Sequence, residues 1–268
     1  MNLKIGIVGL PNVGKSTLFN ALTKSANADA QNFPFCTIDP NVGIVPVPDK
    51  RVDQLAKIVN PEKVQRSTVE FVDIAGLVEG ASKGEGLGNK FLAHIRECNA
   101  ICHVLRDFES SDIHHVAGKV DPKSDFEVII TELILADLES VDRQIERVAR
   151  KTRTGDKDAK KELSLLERVK TCLEANKLAS SVELEEDDNP IFHSFHLLTS
   201  KKFMVVANTS EEHFSNFDEN VFREKVSLRS EIPIIPVCAK IESELVDLSE
   251  AEAQEFLTEL GATESGLE

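Results

Sequence analysis

Short apolar runs and amphipathic stretches alternate along the first 120 or so residues, and the period then changes. The runs at 3–8, 69–72 and 101–105 are short and rich in Val and Ile, as strands buried in a sheet are. A helical stretch over 17–23 follows the first of them. From 125 to 148 the apolar residues Phe126, Ile130, Leu133, Leu138, Val141, Ile145 and Val148 fall at three-and-four spacing, which predicts a long amphipathic helix. A second helix is expected over 156–179, with Leu163, Leu166, Val169 and Leu173 as its stripe and Thr154-Gly155 as the turn. Together they read as an antiparallel helical hairpin. The acidic run 183–188, ended by Pro190, reads as a solvated loop, after which strands at 203–207 and 232–237 return to the sheet. The expected organisation is therefore an α/β unit in two parts, 1–122 and 201–268, interrupted by a coiled-coil-like helical insertion at 123–200.

Chemistry enters between the first strand and the first helix. Gly9-Leu10-Pro11-Asn12-Val13-Gly14-Lys15-Ser16 has the order of a phosphate-binding loop, placed where such a loop must be. Its backbone N–H groups, including those of Val13 and Thr17, and the positive end of the helix would cradle phosphates. Lys15 would reach the β and γ oxygens and stabilise their charge, and the Ser16 hydroxyl would ligate Mg²⁺. The match predicts an α/β P-loop NTPase of the Ras-like kind, with a mostly parallel sheet, helices on both faces and the hairpin inserted.

A second motif separates switches from kinases. Asp73-Ile74-Ala75-Gly76 ends the run 69–72, so the carboxylate stands at a strand's C-terminal end, where open α/β sheets bind ligands. Asp73 can hold the Mg²⁺ shell and the Gly76 N–H can sense the γ-phosphate. Between the two motifs, Thr37 in Phe33-Pro34-Phe35-Cys36-Thr37 is the candidate loop ligand that closes on the metal. A P-loop metabolic kinase has no use for such a sequel.

The phosphate loop, Asn32 to Thr37 and the stretch from Asp73 to Gly88 (DIAGLVEGASKGEGLG) together resemble the YchF group of Obg-related P-loop proteins, over nearly the whole chain. That resemblance implies a translation-factor-class ATPase that associates with the ribosome or a ribosomal subunit, can also bind GTP, and carries a helical insertion. It aligns His115 with a loop histidine that orients the attacking water, a role Leu77 cannot fill after the Gly76 position. It also suggests Asn12 as a helper for a monovalent cation, and a TGS domain beyond the segment 257–267 that this sequence does not include. RNA contacts that depend on that domain are not carried over.

Base choice is read from Asn208-Thr209-Ser210-Glu211, which stands where GTPases carry Asn-Lys-x-Asp. Glu for Asp displaces the acceptor that guanine N1 and N2 require, so guanine specificity should be weak. Asn208 has both a donor and an acceptor suited to the adenine edge. Thr209 and Glu211 flank it, and Cys238-Ala239-Lys240 occupies the place of the Ser-Ala-Lys loop, with backbone N–H groups toward the base. ATP is the expected substrate and Mg²⁺ the cofactor. Two alternatives stay open: a GTPase of the Obg class, and a scaffold whose nucleotide stabilises a docking surface.

Composition narrows the partners. A formal charge of −15 and the absence of Trp and Tyr argue against nucleic-acid binding by this segment, although Arg143, Arg147, Arg150, Lys151 and Arg153 cluster on one helix end. Five cysteines without paired spacing suggest neither a disulfide framework nor a zinc site, and fit a reducing compartment. His193 and His196 lack a surrounding ligand set. With no signal-peptide pattern and no membrane-length apolar run, a cytoplasmic protein is expected.

Overall fold

The computed structural model describes residues 3–29, 41–74, 87–110, 119–152, 156–262 and 265–267. Thr37, Gly76, His115 and Arg153 lie outside them. Among the described residues, six strands, β1 (Leu3–Val8), β2 (Val42–Pro46), β3 (Thr68–Asp73), β4 (Ala100–Asp107), β5 (Lys202–Thr209) and β6 (Ile234–Val237), form one sheet in the order β2-β3-β1-β4-β5-β6. β1 runs parallel to β3 and β4, β5 runs parallel to β6, and β2 is antiparallel to β3. The interior of β4, from Ile101 to Arg106, is buried without interruption, as a strand covered on both faces must be. β1 has one neighbour from each direction of the strand order, so a crevice opens beyond its carboxyl end.

The described helices are α1 (Lys15–Asp29), α2 (Lys50–Val59), α3 (Leu87–Glu97), α4 (Pro122–Thr152), α5 (Lys157–Glu174), α6 (Asn189–Ser194), α7 (Glu211–Phe214), α8 (Glu219–Val226), α9 (Ala239–Leu245) and α10 (Glu250–Glu259). The chain divides into two compact units. One comprises Met1–Gly76, Cys98–Ser124 and Phe203–Glu268 and holds the whole sheet; the other comprises Leu77–Glu97 and Asp125–Lys202. The sequence expectation kept 77–97 with the nucleotide-binding part, whereas α3 groups with the helices. Lys201 Nζ donates to the Arg96 carbonyl at 3.1 Å, a contact over more than a hundred positions that no local pattern announces.

Within the helical unit, Lys170 meets Asp142 at 2.7 Å and Arg147 meets Glu162 at 3.7 Å. The later α4 residue pairs with the earlier α5 residue, so the two helices run antiparallel. Asp156 caps α5 by accepting from the Asp158 and Ala159 N–H groups. That helix stops at Glu174, short of the expected 179, because Asn176 takes a left-handed conformation with φ 55°. Leu163 is only half-buried and Leu165 takes its place in the stripe. Arg143 and Arg147 are exposed and meet Glu139 and Glu162, which agrees with a solvated face.

Two buried carboxylates depart from the sequence picture. Asp188, expected in a solvated acidic loop, is 3% exposed and holds Arg168 at 3.0 Å and Lys161 at 3.6 Å. Asp137 on α4 is wholly buried and accepts from Leu198 N, Thr199 N and Thr199 Oγ1 at 2.7–2.8 Å. Burial pushes its carboxyl above the usual range, against the pull of the Thr199 and Leu198 donors. No described helix is long and apolar enough to cross a membrane.

Candidate nucleotide-binding site

The turn from β1 into α1 is built so that backbone can approach an anion. Asn12 has φ 63° and Gly14 φ 97°, both in the left-handed region. A Cβ on Gly14 would collide with the Asn208 amide nitrogen, and one on Gly9 would lie 2.6 Å from the Val104 carbonyl. Leu18 N bonds Gly14 O at 2.9 Å and starts the helix, so the Lys15, Ser16 and Thr17 amides of the first turn have no intrahelical acceptor. Lys15 is 7% exposed and folds over the loop, donating to the Leu10 carbonyl at 3.2 Å. Burial lowers its pKa, and the Asp73 carboxylate partly restores it.

Asp73 ends β3 next to that lysine. Ser16 Oγ donates to Asp73 Oδ2 at 3.0 Å, so the phosphate loop and the strand-end carboxylate meet as the two motifs require. Asp73 Oδ1 is buried with no hydrogen-bond partner among the described residues. An unused carboxylate oxygen beside a serine hydroxyl suits Mg²⁺, which takes few protein oxygens and completes its shell with water and phosphate. Groups of three or more His, Cys, Asp or Glu able to hold a metal do not occur among the described residues, His193 and His196 included.

The opposite end of the site opens into a cavity of about 680 Å³. Its walls come from the phosphate loop (Asn12, Gly14 and Thr17), from the ends of β4 and β5, and from the start of α9. Asn208 lies beneath it, 4% exposed, with Nδ2 donating to Val13 O at 2.8 Å and Oδ1 accepting from Ala239 N at 3.0 Å. Asn208 is thus first a strut that fixes the phosphate loop to the α9 turn. One amide hydrogen and one lone pair remain for a ligand. Thr209 Oγ1 is buried without a hydrogen bond among the described residues. Ser210 takes the N-cap position of α7, its carbonyl accepting from His213 and Phe214.

Cys238, the departure from serine, stands at the N-cap of α9, and nothing in the structure explains the thiol there. Its thiol is 3% exposed and packs with Ile241 and Leu257, against Phe214, Leu245 and Phe256. Burial raises the thiol pKa, against the pull of the Ile241 and Lys240 N–H groups. Sequence reasoning missed Phe108, half-buried at the cavity wall, whose ring lies 4.5 Å from the Arg106 guanidinium. Its signal, an aromatic just past a buried strand end, is too common to be read alone. Lys240 also lines the cavity, and its Nζ meets the Glu211 carboxylate at 2.6 Å.

A phosphate loop after the central strand of a mostly parallel sheet, a metal-suited Ser and Asp pair, and a cavity at the strand ends define a P-loop NTPase of the GTPase fold. The family model described as 50S ribosome-binding GTPase matches residues 4–154. Over the whole chain, the sequence is 55% identical to the ribosome-binding ATPase YchF of Haemophilus ducreyi and 54% identical to that of Bacillus subtilis, spanning 73% and 74% of their lengths. The solved structure of the Schizosaccharomyces pombe YchF GTPase superposes with a TM-score of 0.85 at 36% identity, covering 98% of this chain and 72% of that one. The chain belongs to the YchF family of P-loop nucleotide hydrolases.

Proposed function

We propose that the chain is a ribosome-associated, Mg²⁺-dependent ATPase that can also bind GTP and acts as a nucleotide-controlled switch in the cytoplasm. The observation that carries this reading is the Ser16–Asp73 contact beside the buried Lys15. It brings anion cradle, compensating cation and metal-suited oxygens into one place. Lys15 and the loop amides stabilise charge on the β and γ phosphates, in a setting too dry to screen them. Ser16 and Thr37 are the metal ligands and Asp73 supports them. The ion, when bound, neutralises the β and γ oxygens. Gly76 senses the γ-phosphate, and His115 orients the attacking water.

At the base, the spare Asn208 groups, Thr209 and the displaced Glu211 carboxylate favour adenine over guanine, while the Ala239 N–H is spent on Asn208. Calorimetric titration of the protein with non-hydrolysable ATP and GTP analogues in Mg²⁺ tests this. ATP should bind at least as tightly as GTP, and GTP tighter by about an order of magnitude, some 1.4 kcal/mol, rejects the assignment. For turnover, His115→Ala should lose hydrolysis and keep nucleotide affinity. Switching is read from co-sedimentation with ribosomal subunits in nucleotide-free, diphosphate and triphosphate states. Equal binding in all three makes the protein a scaffold with incidental hydrolysis, since a ligand that does not discriminate states shifts nothing.

A further inference from the structure

Lys240 is not required by the phosphate chemistry, yet it closes one wall of the base cavity. Its Nζ lies 2.6 Å from Glu211 Oε1, the pair is 70% and 40% exposed, and both residues line the cavity. Glu211 and then Glu244 hold the ammonium charged. The two residues come from different segments, Glu211 from the first turn of α7 and Lys240 from the first turn of α9. Only the β5–β6 pairing, Asn208 opposite Val237, brings them together.

A free carboxylate at this edge could accept from guanine N1–H and N2–H at once, the bidentate contact on which guanine recognition depends. With Lys240 on Oε1, part of the carboxylate's charge and acceptor capacity is taken up by the ammonium, so Glu211 offers guanine a weaker pair of acceptors. Adenine presents a single amino group beside a ring acceptor and asks for no bidentate carboxylate. We propose that Lys240 is a specificity-determining residue that acts through Glu211, engaging its carboxylate and so disfavouring guanine in the cavity. This rests on the reading that the cavity holds the base. It is a positioning role, and it adds a second element to the longer Glu211 side chain.

The test compares the unmodified protein with Lys240→Ala and Lys240→Arg, using dissociation constants for non-hydrolysable ATP and GTP analogues at low and high salt. In Lys240→Ala the ATP-to-GTP affinity ratio should fall by about two- to fivefold, the range an exposed pair supports. Lys240→Arg should restore the ratio. In the unmodified protein the ratio should also drift toward GTP as added salt screens the pair, whereas Lys240→Ala should not respond. A ratio unchanged in Lys240→Ala, or both nucleotides weakened by one factor, overturns the proposal. Phe108→Ala measured alongside separates the two failures. If it weakens both nucleotides while Lys240→Ala leaves the ratio alone, the base occupies the cavity and the ion pair is not its selector. If neither substitution affects either nucleotide, the base lies elsewhere.

Discussion

The phosphate end and the base end of the site are built in opposite ways. At the phosphate end the working groups are backbone amides and a buried lysine, within eight consecutive residues plus one strand-end carboxylate. At the base end they are side chains from three segments around an open cavity, and the Lys240–Glu211 ion pair there is exposed to water. A buried cation is costly to hold and strong when paired, while an exposed pair is weak and adjustable. The first end therefore suits invariable chemistry on a triphosphate tail, and the second suits a preference between two purines.

The largest effect is expected from Lys15→Met, which removes the buried cation. Triphosphate hydrolysis should fall by about a hundredfold or more. The nucleotide-free protein should nonetheless melt at a higher temperature, because burial already holds the Lys15 pKa below its ordinary value. Between that lowered value and the ordinary one the unfolded chain binds more protons, so the charged lysine works against folding at neutral pH. A melting temperature that drops on substitution would show that the Asp73 attraction outweighs burial.

Asn208→Ala tests whether the two ends are coupled. It leaves Val13 O and Ala239 N without their partner in a buried setting, for a loss of about 2–3 kcal/mol in denaturant unfolding. Phosphate contacts should weaken together with base contacts. If tripolyphosphate affinity is unchanged while ATP affinity falls, Asn208 serves the base alone and the strut description fails.

The last expected effect distinguishes the ends by acid. His103 lies on β4 beside the phosphate loop, wholly buried, and burial followed by the Lys15 charge pushes its pKa down to about 3 from 6.5. The unfolded chain therefore carries the extra proton in that window. Stability is complete above pH 6.5 and declines toward pH 3, by about 1.4 kcal/mol per pH unit from this group. In His103→Gln the unfolding free energy should lose one proton's worth of that slope, measured by urea titration between pH 6 and pH 4.

What could be read in advance tracks the same contrast. Gly9 to Ser16 are contiguous, and their strand and helix neighbours follow from apolar patterning, so the phosphate end was legible and Asp73 with it. Asn208 was read as a base contact, and its part in fixing the loop to Ala239 was not visible, because the partners lie 195 and 31 positions away. Phe108 and Lys240 acquired meaning only once the strand ends were side by side. In the helical unit, the α4 stripe was legible in part, with Ile130, Leu133, Val141 and Val148 buried and Phe126, Leu138 and Ile145 half-buried, but Asp137 at its centre was not, since an acidic residue in an amphipathic pattern is ordinarily solvated. The departure of α3 to that unit was hidden for the same reason: it depends on which surface a helix finds, and that is no property of its own residues.

By itself the sequence determined the kind of chemistry, because a phosphate cradle is made of backbone conformation, and backbone conformation is set by glycines, a lysine and a helix start lying next to one another in the chain. Tertiary structure decided how Glu211 is engaged, where Asn208 spends its hydrogen bonds and which helices pack as one body. Each of these is a contact between segments far apart in sequence, and burial and pairing exist only after the sheet has brought those segments into register.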